Sequence, residues 1–380
     1  MKNSVISKVI IICILVVCLC SGFNNNEEYL REKAIVAAMD EIRSFSERDE
    51  GSQWDDSTTI SSIIELYDPN NSINGYIFDL STEGHRSGFI QVGIADGACY
   101  IVNIGFIGDN YAVEQLDQYN RDKKDGDIYP VSYLYKNKVY YLGGFNYLVE
   151  KGNDYYIDLG SGSIEKIDKI TLENAYNDYK RAISQDYKGD ITTLSSSKAT
   201  TTTKIVSSFG TANTHMVYTQ YFSGYHDHCS PTAATNMVIY WKYGRGYFGS
   251  DTSNVTTIFQ RFYNKMETNC GTDPGTYHSK LYPAYKWYVQ TYGGSALIAH
   301  YSTSVLISTI KTKINGNIPL QLEVDDLINA NECHSVNVWG YSTTNSTNYL
   351  SITKNISNRN TSLINFSAYS YAQFTYWGIS

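Results

Sequence analysis

The sequence has no CxxC pair, no glycine-rich phosphate loop and no stripe of basic residues. Their absence removes the ordinary grounds for a zinc module, a nucleotide cradle or a nucleic-acid surface. Cysteine is scarce as well: Cys13, Cys18 and Cys20 fall in the first twenty residues, which leaves Cys99, Cys229, Cys270 and Cys333. That is too few for a disulfide-stapled secreted module, although the number leaves room for one Cys270–Cys333 bridge. Beyond the N-terminal stretch no apolar run approaches membrane-spanning length. The segment DPNNSIN has the outline of a calcium loop but carries Ile73 where such a loop needs glycine. What is present, 42% hydrophobic and 18% charged residues with 35 Tyr, describes a folded chain with a polar surface, and 380 residues suffice for two cores.

Lys2 and Lys8, the apolar stretch from Val9 to Cys20 and the small pair Ser21-Gly22 predict a cleaved signal peptide over 1–22. A secreted or cell-surface protein follows, with no stable membrane insertion once that segment is removed. The stretch ITTLSSSKATTTTKIVSS has little to pack and reads as an exposed linker within 190–212, with an edge strand as the alternative. It divides the charge unevenly. Residues 1–197 hold 18 Lys+Arg and 30 Asp+Glu, a net of −12, whereas residues 198–380 hold 12 and 8, a net of +4. Opposite signs on two tethered halves favour their facing one another.

The acidic half, 23–189, reads as one helix followed by an antiparallel sheet. Asn26 with Glu27 and Glu28 marks a helix start, and Leu30, Ala34, Ala38 and Ile42 recur at helical spacing. Short strands follow, with hairpin turns expected at Asn74-Gly75 and at Lys136-Asn137. Nothing in this half has catalytic character, and its one histidine, His85, reads as a surface residue.

The chemistry lies in the second half, 213–380. In HDHCSPTAATNMVIYW, Ser230 and Pro231 open a helix, Ala234, Met237, Val238 and Trp241 share a face, and Gly244 and Gly246 close it. Cys229 therefore sits at the positive end of a helix, where thiolate is favoured over thiol. His226 and His228 beside it lack a second cluster at ligand spacing and read as loop residues flanking a cleft, so no metal or cofactor is expected. Further on, His334 opens an alternating strand in HSVNVWGY, and Asn355 ends a second strand in YLSITKN. In an antiparallel hairpin the two come close enough for the carboxamide oxygen to hold the imidazole.

The segments CSPTAATNMVIYW, HSVNVWGY and YLSITKN, in the order Cys, His, Asn, resemble the signature segments of papain-like cysteine peptidases, in the bacterial branch that groups C39-like and streptopain-like enzymes. The likeness covers roughly residues 213–380, and IIELYDPNNSINGYIFDL with GFIQVGI is similar to the propeptides of streptopain-like enzymes. It implies an α+β architecture: a nucleophile-bearing helix packed on an antiparallel sheet, preceded by a helix-plus-antiparallel-sheet prodomain. It further implies that Cys229 is the nucleophile, His334 the general acid/base and Asn355 its orienting residue, with Gln220 helping the Cys229 backbone N–H to form the oxyanion hole. Gln220 lies nine residues before Cys229, so the loop between them must bulge. The expected activity is hydrolysis of polypeptides by a secreted endopeptidase made as a zymogen, its prodomain an intramolecular partner. A cell-wall amidase of the NlpC/P60 type and a catalytically silent binding or inhibitor protein on the same fold are the alternatives.

Overall fold

The computed structural model describes residues 26–46, 54–122, 128–159, 163–186, 201–222, 224–270, 275–293, 296–325, 333–344, 347–356 and 361–379. The signal-peptide stretch 1–22 lies outside the described residues. So does the 190–200 portion of the expected linker.

The N-terminal half begins with helix α1 (Asn26–Ser46), followed by strands β1 (Thr59–Tyr67), β2 (Ile73–Thr82), β3 (His85–Ala95) and β4 (Ala98–Gly105), helix α2 (Tyr111–Asp122), strands β5 (Val139–Tyr141), β6 (Tyr147–Gly152), β7 (Tyr155–Asp158) and β8 (Ser163–Lys166), and helix α3 (Lys169–Asp186). The C-terminal half comprises β9 (Thr201–Ile205), α4 (Phe209–Asn213), α5 (Cys229–Ile239), α6 (Val255–Lys265), α7 (His278–Tyr288), β10 (Leu297–Ser302), α8 (Ile307–Asn315), β11 (Leu320–Asp325), β12 (Cys333–Thr344), β13 (Thr347–Thr353), β14 (Thr361–Asn365) and β15 (Tyr371–Ile379). The fold is α+β with a mostly antiparallel sheet; among the described strands the one parallel pairing is β1 with β5.

That sheet does not stop at the boundary between the halves. Its order is β10-β15-β11-β12-β13-β14-β4-β3-β2-β1-β5-β6-β7-β8, and β14 of one half pairs with β4 of the other through Ser362–Gly105, Leu363–Ile104 and Ile364–Asn103. The alternation of β2 explains how both faces are used. Tyr76, Phe78 and Leu80 turn to one core with Ala34, Ala38, Ile42 and Phe45 of α1, while Ile77 joins the main core on the opposite face. Among the described residues no helix is long and apolar enough to cross a membrane.

Three local expectations are corrected. The first hairpin turns at Asp68–Ser72, where the Asp68 carboxylate accepts from the amides of Asn70 and Ser72 at 2.8 and 2.9 Å and Asn71 takes φ 63°; Asn74 and Gly75 already belong to β2. There is no turn at Lys136-Asn137 between two strands, because Pro130 starts a 3-10 turn over Val131–Tyr133 and the chain enters β5 only afterwards. The turn that reverses the chain is Leu142–Asn146, with Gly143 and Gly144 at φ 98° and 58°.

The expected linker is also shorter than 190–212. Thr201–Ile205 is a strand antiparallel to β12, from Thr344–Thr201 to Gly340–Ile205, and α4 follows it. β-Branched threonines suit a pleated edge even where no apolar alternation marks it. Trp339 is an extra residue in β12 opposite β13, and beside this bulge Gly340 brings β9 close. A Cβ at 340 would stand 2.5 Å from the Lys204 carbonyl oxygen. Gly340→Ala is therefore expected to destabilise the chain by about 1–3 kcal/mol, measured as a lower urea midpoint.

Candidate active site

Helix α5 begins at Cys229, with His228 as its N-cap, and Pro231 is accommodated in the first turn, where its missing N–H loses nothing. Every residue from Ser230 to Ile239 is buried, so the helix runs through the core instead of presenting one apolar face to it. His228 is not a loop residue at a cleft. It is buried against Phe222, Tyr225 and Phe259, with Nδ1 3.1 Å from the Thr232 hydroxyl, while its neighbour His226 is exposed. Among the described residues no cluster of His, Cys, Asp or Glu has the makings of a metal site. Cys270 is an exposed free thiol, so it forms no bridge to Cys333.

The Cys229 side chain is half-buried, and its sulfur hydrogen-bonds with the backbone amide of Ser335, the residue after His334. The beginning of α5 thus meets the beginning of β12. The expected β12–β13 hairpin is present, with Asn337 opposite Thr353, and it carries Asn355 to the same level: its Nδ2 lies 3.5 Å from the Ser335 carbonyl oxygen. Asn355 has φ 61°, a left-handed conformation that asparagine tolerates well. Gln220 reaches the site from the other side, its amide donating to the Ile356 carbonyl at 3.4 Å and Thr219 donating to Asn355 at 2.8 Å. Its side-chain Nε2 is buried with no hydrogen-bond partner among the described residues. An unused donor in such a place is costly unless something comes to accept from it.

Two expected contacts are not made. The Asn355 carboxamide oxygen accepts from Asn236 Nδ2 at 2.9 Å and from the Thr353 hydroxyl at 3.0 Å, and the His334 ring instead pairs through Nε2 with the Lys354 carbonyl at 2.9 Å. Asn355 is buried within this network. Nor is the thiol poised as a thiolate. Burial, then the charge of Glu323, push Cys229 up to about 12, outweighing the Ser335 amide. Burial also holds His334 down to about 4, so the two groups are neutral together near pH 7.

The cause of this resting state is partly in the N-terminal half. Asn110 caps α2, its Oδ1 accepting from Val113 N at 3.1 Å and its Nδ2 donating to buried Asp79 at 3.0 Å. That anchorage sets Tyr111 edge-on to the His334 ring, with centroids 5.8 Å apart, and within electrostatic reach of the Cys229 thiol. Phe145, at the Leu142–Asn146 turn, meets His334 at 5.4 Å on the same side, its ring 4.4 Å from that of Tyr111. One turn along α2, the Glu114 carboxylate pairs with Lys354 Nζ at 2.7 Å, both side chains about 5% exposed or less. Behind Cys229, the fully buried Glu323 accepts from Gln321 Nε2 at 3.0 Å and from the Ser335 hydroxyl, with Ser230 Oγ at 3.5 Å. Sequence reasoning missed Tyr111, Glu114, Phe145, Glu323 and Lys354. The legible signal was a charge in or directly after a strand, Glu323 in PLQLEV and Lys354 just past β13 in YLSITKN.

The depressed histidines make a stability prediction. His228 and His334 both titrate near 4 in the folded chain against 6.5 ordinarily, so the unfolded chain binds more protons below pH 6.5. Their contribution is whole above pH 6.5 and is lost as pH falls toward 4, with a two-proton slope approaching about 2.7 kcal/mol per pH unit. Urea unfolding of the full chain at successive pH values checks it; His228→Gln should remove about half the slope.

No protein-family model matches the chain, and no curated protein matches it. Among solved structures, a fragment of Prevotella intermedia prointerpain A, in a mutant form, aligns with 83% of this chain and 97% of its own length. The likeness is distant. The TM-score is 0.40 and the sequence identity 10%.

Proposed function

We propose that the chain is a cysteine peptidase made as a zymogen, in which the N-terminal half is an acidic prodomain docked over the site of the basic C-terminal half. The observation that carries this reading is the convergence of Cys229, at the first turn of α5, on the start of β12 beside His334, with Asn355 at the same place and the Thr219–Gln220 backbone bonded to Asn355 and Ile356. A thiol, an imidazole, a carboxamide and an idle N–H donor are the parts that acyl transfer needs.

In the active form the sulfur of Cys229 attacks the carbonyl carbon as thiolate. A C–S bond forms and the carbonyl electrons move to oxygen, which accepts hydrogen bonds from the Cys229 amide and Gln220 Nε2. His334, holding the thiol proton, gives it to the leaving amine as the C–N bond breaks. It then takes a proton from water, whose oxygen attacks the acyl carbon and releases the sulfur. For this the His334 ring must leave the Lys354 carbonyl and meet Cys229, and Asn355 must exchange its present partners for the imidazole. Departure of Tyr111 and Phe145 frees the ring to do so.

The test is direct. Purified full chain is incubated with an unstructured protein, with and without prior thiol alkylation, while mass spectrometry follows substrate fragments and loss of the N-terminal half. Hydrolysis is expected to begin as that half is cut away and to be blocked by alkylation. Hydrolysis at full rate by alkylated chain, or none by a chain that has shed its N-terminal half, overturns the reading. The alkylation rate at Cys229 in the intact chain, followed by peptide mapping, should also climb through pH 10 without levelling, since that thiol titrates near 12.

A further inference from the structure

The Glu114–Lys354 pair lies nine-tenths buried between the halves, and it adjoins the candidate site directly. Lys354 precedes Asn355, and its carbonyl accepts from His334 Nε2. Its ammonium stands 5.4 Å from the centroid of Tyr111, the same ring that packs against His334 and lies within electrostatic reach of Cys229. Among the described residues the ammonium's partners are the Glu114 carboxylate, the Tyr111 ring and the Phe89 ring at 5.2 Å, all from the N-terminal half. When that half leaves, all three leave with it. The cation is then uncovered beside the reacting groups with neither counter-charge nor aromatic cover, where water or a ligand carboxylate takes their place.

We propose, resting on the peptidase reading above, that Lys354 builds a subsite for an acidic side chain next to the scissile bond, which Glu114 occupies in the full chain. The substrates of the active enzyme are then polypeptides carrying Glu or Asp near the cut. The net charge of +4 on residues 198–380 steers such chains toward the cleft.

The experiment uses the full chain, activated by incubation or limited proteolysis, and paired peptide libraries identical except for Glu against Gln at each position around the cut. The Glu/Gln cleavage ratio is expected to reach roughly tenfold at one position, as for a desolvated charge pair, and to fall to near one in Lys354→Met. The ratio is internal to each variant, so it does not depend on the variant's overall activity. A charge-swapped chain, Glu114→Lys with Lys354→Glu, keeps the ion pair for folding and should prefer Lys over Gln at the same position. Cys229-dependent cleavage with a ratio near one everywhere, or with a ratio that Lys354→Met leaves unchanged, overturns the subsite while the peptidase reading stands. Absence of any Cys229-dependent cleavage removes both.

Discussion

Cys229→Ala is expected to lower peptide hydrolysis by the activated chain on the order of 10⁶-fold, the loss that follows removal of a covalent nucleophile from a site that acts as a unit. The substitution deletes one half-buried sulfur and the weak bond it makes with the Ser335 amide, so the full chain should lose no more than about 1–2 kcal/mol, read from the urea midpoint. Loss of activity with an unchanged fold then belongs to chemistry. His334→Ala should cost about as much, and adding it to Cys229→Ala should cost little more, because neither group works without the other. Gln220→Ala should cost about 10²–10³-fold, the usual worth of one oxyanion donor, and should leave thiol alkylation unaffected. Hydrolysis that survives Cys229→Ala within tenfold would place the reaction elsewhere in the molecule.

The second large effect concerns the docked halves. Glu114→Ala leaves Lys354 charged in a pocket whose remaining walls are the rings of Tyr111 and Phe89. Breaking a buried pair on one side costs about 3–5 kcal/mol, mostly the desolvation of the orphaned partner. In a Cys229→Ala background, which prevents self-cleavage, the full chain should unfold at lower urea by that amount. Adding Lys354→Met should restore most of it, since an apolar side chain of similar length needs no counter-charge. In chains that keep Cys229, Glu114→Ala should shorten the delay before hydrolysis begins. A delay that stays the same while stability falls would mean that the ion pair holds the fold without governing access to the cysteine.

Much of the second half was legible because its elements obey their periods. The alternation of β12, the strand pattern of β13 and the helix opening at Ser230-Pro231 are local patterns, and they locate Cys229, His334 and Asn355. What escaped depends on tertiary contacts. β9 is held by β12 and by the space at Gly340, which no reading of four threonines in a row contains. The turn at Asp68–Ser72 won over Asn74-Gly75 because the Asp68 carboxylate caps two amides, a bond that competes with the glycine rule. The thiol was expected to gain from its helix end. Burial and the Glu323 carboxylate, 94 residues away in sequence, outweigh it. The charge asymmetry of the halves was visible in composition, but the residue pair that brings opposite charges together, Glu114 with Lys354, was not.

The pairing of β14 with β4 has its own consequence. Once the acidic half is shed, β14 becomes a raw margin whose N–H and C=O groups at Ser362–Ile364 face water, and Tyr349 and Leu363 are wetted where they had shared a core with that half. Such a margin recruits whatever extended backbone is nearby, including another liberated copy. The freed enzyme should therefore be the less soluble species, and its working lifetime should shorten as its concentration rises.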